Sequence, residues 1–123
     1  MNVLVDTSVW VAHFRHKNST LLGLIGADRV MVHAMVIGEI ACGTPPEPRA
    51  RTLGDLGQMR KANQATSKEV LELIERESLY GLGCGLVDMT LLASTLLTPG
   101  ATLWTLDKQL ATLADRFSIA YRA

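Results

Sequence analysis

Cysteine, aromatic side chains, long apolar runs and net charge are all scarce in this chain, and each shortage narrows its class. Two cysteines occur in 123 residues, Cys42 and Cys84, with no CxxC and no Cys/His pair at ligand spacing. That is neither a disulfide framework nor a thiolate metal motif; the expectation is two small buried thiols in a reducing compartment. No run of about 18 apolar residues exists, so nothing is expected to span a membrane. Met1–Trp10 lacks a basic start and carries an acid in its apolar run, so it does not read as a signal peptide. A cytoplasmic protein is the expectation. Lys+Arg and Asp+Glu both number 12, a formal net charge of +0. Bulk electrostatics therefore does not draw the chain to nucleic acid or to an anionic membrane. Any polyanion must be gripped by a local patch or a metal.

What is present is an ordinary globular composition, 48% hydrophobic and 20% charged, on a length that suits one domain, residues 1–123. Asn2–Val5 is apolar without alternation, as in a strand buried on both faces. Asp6 or Thr7 then caps a helix carrying Val9, Trp10, Val11 and Phe14, with cations in its last turn. Asn18 or Ser19 caps a second short helix, Leu21–Ile25. Arg29–His33 reads as a strand and Ala34–Cys42 as a helix. Pro45, Pro46 and Pro48 break the chain, and Arg49–Met59 reads as a helix weakened by Gly54 and Gly57.

Thr66 and Glu69 match a capping box opening a helix that runs to about Leu79. Leu86–Leu97 is the most apolar helix, stopped by Pro99-Gly100. Ala101–Thr105 is a strand, Asp107 caps a helix over Lys108–Phe117, and Ser118–Tyr121 is a last strand. The order predicts an α/β fold with a mostly parallel central sheet of about four to five strands, flanked by helices on both faces.

Four acids sit where acids are awkward. Asp6 ends the first strand, where a helix cap and a functional role weigh evenly; Asp107 follows a later strand and, taken singly, reads first as a helix cap. Glu39, in AMVIGEIACG, has Met35, Val36, Cys42 and Gly43 as its helical neighbours, an apolar face. Asp88 opens the most apolar helix, with Leu91, Leu92 and Thr95 on its face. Neither has an Arg or Lys three or four residues away. An unpaired carboxylate on a core face costs several kcal/mol, so the partner comes from elsewhere in the fold or is a cation. Two acids at the carboxyl edge of a parallel sheet, with two more packed over that edge, would repel and resist joint ionisation. A divalent metal resolves this. Oxygen ligands without Cys or His in register favour Mg²⁺ or Mn²⁺ over Zn²⁺, the layout of metal-assisted phosphodiester hydrolysis. The three histidines, His13, His16 and His33, read as structural.

The pieces VLVDTSVW, VIGEIACG, GLVDMTLLAS and LWTLDKQL, in this order and spacing, resemble the PIN-domain ribonucleases, and most closely the VapC toxins of bacterial toxin–antitoxin operons. The resemblance covers nearly the whole chain. It implies a Mg²⁺-dependent site for RNA hydrolysis built from Asp6, Glu39, Asp88 and Asp107. It implies supporting hydroxyls at Thr7 or Ser8 and at Thr105. It also implies a homodimer silenced by a cognate VapB-type antitoxin. Thr44–Lys61 matches no motif of the family.

That central segment holds the one notable basic cluster, Arg49, Arg51, Arg60 and Lys61, which reads either as an RNA grip or as a solvated face. Two other classes compete with the nuclease. A phosphoryl-transfer receiver also places an aspartate after its first strand, but the neighbouring second acid is missing here. A non-catalytic binding or regulatory module of the same fold, stabilised by a metal, fits the composition as well.

Overall fold

The centre of the sheet is β1, Asn2–Val5, in which Val3, Leu4 and Val5 are fully buried. The absence of alternation in this run thus reflects burial on both faces. This computed structural model describes residues 1–122; residue 123, the last of the expected domain span, lies outside the described residues. On one side β1 pairs with β2, Val30–Met31, and on the other with β3, Ala101–Trp104, both in parallel. The strand order is β2-β1-β3.

Parallel neighbours require crossovers, and helices supply them. Between β1 and β2 lie α1, Thr7–Arg15, and α2, Ser19–Gly26. Between β2 and β3 lie α3, Ala34–Cys42; α4, Arg49–Gln58; α5, Ser67–Glu77; and α6, Leu86–Leu96. After β3 comes α7, Lys108–Arg116. The chain steps from β1 to one neighbour and then crosses to the other, so the strand order reverses between β1 and β3. In open α/β sheets the crevice at such a reversal, outside the carboxyl ends of the strands, is where ligands bind.

The sheet has three strands, against the four to five expected, and single bridges at its two edges account for the difference. Ser118–Tyr121 contributes one bridge, Leu103 to Ala120, with Leu103 N–H donating to Ile119 and Tyr121 N–H to Leu103. Ser118 has φ of 58°, a left-handed turn, which leaves too little extended chain for a longer ladder. On the far edge Val32 bridges Lys61, a pairing that no sequence pattern announces.

Helix starts follow the caps. Asp6 caps α1, Asn18 caps α2 through Leu21 N–H, and Asp107 caps α7 through Leu110 N–H. Thr66 and Glu69 form the reciprocal capping box. His33 caps α3: its Nδ1 accepts from Met35 N–H and its Nε2 meets Ser94 Oγ at 3.0 Å. The buried cluster centres on β1, with Val9, Leu21, Val36, Leu91, Leu92, Leu103 and Leu110 reaching it from six other elements. Both thiols are free, and neither is fully buried as expected: Cys42 is exposed on the outward face of α3 and Cys84 is half-buried.

Candidate functional site

Three helices begin at the carboxyl edge of the sheet, each straight after a strand: α1 after β1, α3 soon after β2 and α7 soon after β3. Asp6 is the residue that turns β1 into α1, and it is 5% exposed. Its backbone N–H still donates to Trp104, so the β1–β3 ladder carries on to the site. Its Oδ2 accepts from Ser8 Oγ at 2.6 Å, from Thr105 Oγ1 at 2.8 Å and more weakly from Ser8 N–H at 3.4 Å.

The two hydroxyls are themselves aimed. Ser8 Oγ accepts from Leu106 N–H and Thr105 Oγ1 from Asp107 N–H, both at 3.0 Å. With lone pairs occupied by these amides, each hydroxyl turns its hydrogen toward Asp6. The bonds are charge-assisted and fix one oxygen of the carboxylate. Oδ1 makes no hydrogen bond among the described residues and is the oxygen left for a ligand.

Thr7, the third hydroxyl singled out from the sequence, serves another acid. Its Oγ1 donates to Glu39 Oε1 at 2.5 Å, tying α1 to α3. Glu39 is exposed, and here the structure corrects the sequence reading. The Met35–Glu39–Cys42 face of α3 is the outward one, with Met35 40% exposed, while Val36 and Ile40 are buried. The face of α6 that carries Asp88 turns toward the core, and Asp88 itself is half-buried. Its face-mates Leu91, Leu92 and Thr95 are buried to within 1% of full coverage. Burial pushes its carboxyl above the usual range, and the negative charges of Asp6, Asp107 and Glu39 push it further, against an opposing hydrogen bond from the Gly85 backbone.

Four acids from four elements therefore share one electrostatic neighbourhood. None of them forms an ion pair among the described residues. They are not gathered into a finished cage: among the described residues no group of three His, Cys, Asp or Glu is close enough to hold a metal ion. The donors fit a hard divalent cation in kind and in charge.

Cys84, beside this site, was not singled out for it. Burial pushes its thiol up to about 11, with Asp88 and then Asp107 adding to the effect. Burial and the neighbouring acids thus favour its protonated form. Burial also pulls His13 and His33 below the ordinary imidazole range, and both are held structurally, His13 by Asn18 N–H.

The basic cluster is dispersed. Arg49 donates to the carbonyls of Ala41 and Gly43, closing the end of α3. Arg60 pairs with Asp28 at 3.2 Å, and Lys61 donates to the Gly57 carbonyl. Arg51 is exposed and makes no ion pair among the described residues. The length of α4, about 15 Å for its 10 residues, separates the two ends of the cluster.

A cleft of about 490 Å³ opens beside Glu39, between α1, α3 and the proline run. No sequence pattern signals it, because it forms only where three separate segments meet.

Comparison with known proteins agrees with this architecture. The PIN domain family matches residues 3–116. Two curated relatives, both named Ribonuclease VapC32, come from Mycobacterium tuberculosis strains CDC 1551 / Oshkosh and ATCC 25618 / H37Rv. Each is 40% identical over 118 residues, covering 96% of this chain and 94% of the relative. The chain belongs to the PIN-domain family, as a VapC-type member.

Proposed function

We propose that this chain is a Mg²⁺-dependent endoribonuclease, with Mn²⁺ as an alternative ion, and the toxin of a toxin–antitoxin pair. Residues 1–123 act as one nuclease domain. The observation that carries the reading is Asp88: a half-buried carboxyl raised by burial and by three other acids, with no cationic side chain paired to any of the four among the described residues. The ribonuclease name of the VapC-type relatives points the same way.

Asp6, Asp88 and Asp107 would hold the ion, with Glu39 as a ligand directly or through water. When bound, such an ion offsets the charge on a phosphate and acidifies a water molecule. The chain's own part is positioning. Ser8 and Thr105 lock Asp6 with Oδ1 free, and Thr7 steers Glu39 at the open side. Water adds to phosphorus and the 3′-oxygen leaves, giving a 5′-phosphate and a 3′-hydroxyl. No histidine is assigned as base: His33 is buried as a helix cap, His13 holds a turn and His16 is the exposed C-cap of α1.

A homodimer, a VapB-type antitoxin and a cytoplasmic location complete the proposal. Exposed Tyr80, Leu82 and Leu86 give apolar area for protein contact, and no helix among the described residues is long and apolar enough to cross a membrane. The test is cleavage of end-labelled RNA in Mg²⁺ and in EDTA, by the parent chain and by Asp6→Asn. Cleavage in Mg²⁺ alone, abolished by the substitution, is expected. Equal cleavage with EDTA, or full activity of Asp6→Asn, overturns the reading. Metal-dependent melting without turnover would mean a non-catalytic module.

A further inference from the structure

The cleft beside Glu39 has no role in the reading above, although one of its walls is a proposed catalytic residue. α1 contributes Phe14 and Arg15, α3 contributes Glu39 and Ile40, and the proline run contributes Pro45 and Pro46. A volume of about 490 Å³ lies within the range of small-ligand pockets. Its chemistry is mixed in a particular way. Phe14 packs on Trp10, with ring centroids 6.1 Å apart, and also lines the cleft, so the ring is held in place while facing the opening. Arg15 is exposed and makes no ion pair or hydrogen bond through its side chain among the described residues. Pro45 is buried and stiffens the opposite wall.

An anchored aromatic ring, a free guanidinium and a rigid apolar wall, continuous with the acid site, are what an unstacked nucleotide needs. Bases stack on aromatic rings and guanidinium planes, and phosphates attract arginine. We propose that this cleft is a nucleotide subsite: it takes the base and ribose of single-stranded RNA adjoining the scissile phosphate. Phe14 is its stacking surface and Arg15 contacts the neighbouring phosphate. The inference rests on the ribonuclease reading and adds to it the place where base preference is set. Double-stranded RNA is excluded, because a paired base cannot enter.

The experiment uses the full chain and the variants Phe14→Leu and Arg15→Gln. Leucine keeps an apolar side chain on Trp10, and Arg15 is exposed, so both variants are chosen to fold; unchanged thermal melting checks this. Short single-stranded RNA of randomised sequence is cleaved in Mg²⁺ and the cut sites are sequenced. Binding of a fluorescent oligonucleotide is measured by anisotropy in EDTA across a salt series. Phe14→Leu should raise KM about tenfold with kcat little changed, and erase the base preference at one position flanking the cut. Arg15→Gln should flatten the salt dependence of binding by about one unit of slope.

Metal-dependent cleavage with unaltered KM, base preference and salt slope in both variants overturns the subsite and leaves the nuclease standing. Unaltered RNA handling with weakened binding of the antitoxin assigns the cleft to a protein segment and overturns it equally. Failure of the parent chain to cut any RNA removes the ribonuclease reading, and the subsite with it.

Discussion

Thr105 donates its hydroxyl to Asp6 across 99 residues of sequence, at 2.8 Å, and its own oxygen is held by Asp107 N–H. One threonine thus joins the ends of two adjacent parallel strands and two of the four acids. Thr105→Val keeps the shape and removes the link. It leaves Asp107 N–H without its partner and takes one donor from Asp6. A loss of about 1–2 kcal/mol is expected in urea unfolding. Misplacement of Asp6 should lower RNA cleavage by about 10- to 100-fold, the usual effect of losing a group that orients a metal ligand.

Glu39 and Thr7 form the matching link between α1 and α3, but at the surface. Thr7→Val should therefore change stability by no more than about 0.5 kcal/mol. Cleavage should fall about tenfold, because Glu39 loses its tether while the fold keeps its core. The comparison of urea midpoint with turnover separates the two effects.

Asp88 is the acid whose position is least comfortable. Its carboxyl is raised above the ordinary value of 3.8 by burial and like charges. A raised acid binds its proton more tightly in the folded chain. Its contribution to stability is thus present below the unfolded value and lost as pH rises through the folded one. Asp88→Asn removes that loss. In EDTA at neutral pH the variant should melt no lower than the parent, and its melting temperature should vary less with pH across the carboxylate range. RNA cleavage should disappear, and the melting shift produced by Mg²⁺ in the parent should shrink. A large drop in melting temperature in EDTA would show that Asp88 is a structural partner instead.

His33 gives the opposite slope. It is buried and neutral, with Nδ1 accepting from Met35 N–H, and burial pulls it below its ordinary value of 6.5. A lowered histidine favours the unprotonated fold. The stability it contributes is present above 6.5 and is lost as pH falls toward the folded value. His13 is lowered in the same direction and adds to the slope. His33→Asn retains a capping side chain for α3 and removes one titrating group. It should lose stability from the missing contact with Ser94, yet show a shallower decline between pH 7 and pH 5 than the parent, read by thermal melting at about six pH values.

Two arginines from one sequence cluster should behave differently. Arg49→Ala removes the donor that closes the end of α3 and should destabilise the chain by about 0.5–1 kcal/mol, with an unchanged salt slope for RNA binding. Arg51, exposed and unpaired among the described residues, is the member of the cluster left free for phosphate. Arg51→Ala should leave stability intact and flatten the salt slope by about one unit.

The sequence alone determined the local elements and their order, because these depend on short-range rules. Non-alternating Val3, Leu4 and Val5 announced a strand covered on both faces, and Thr66 with Glu69 announced a helix start; both are found. Asp88 was recognisable as an awkward acid because its helix is apolar around it. Glu39 was misjudged in orientation. AMVIGEIAC is apolar on nearly every side, so periodicity gave no direction, and only packing against α1 decided that Val36 and Ile40 turn inward while Glu39 turns out.

Tertiary structure also decided what stands next to what. The order β2-β1-β3 places Thr105 on Asp6, and no local pattern encodes which strand will flank β1. It also engaged three of the four members of the basic cluster with nearby backbone carbonyls and Asp28. The cleft between α1, α3 and the proline run belongs wholly to this level: a cavity is a property of surfaces that meet, and the three segments that form it meet only once the chain has folded.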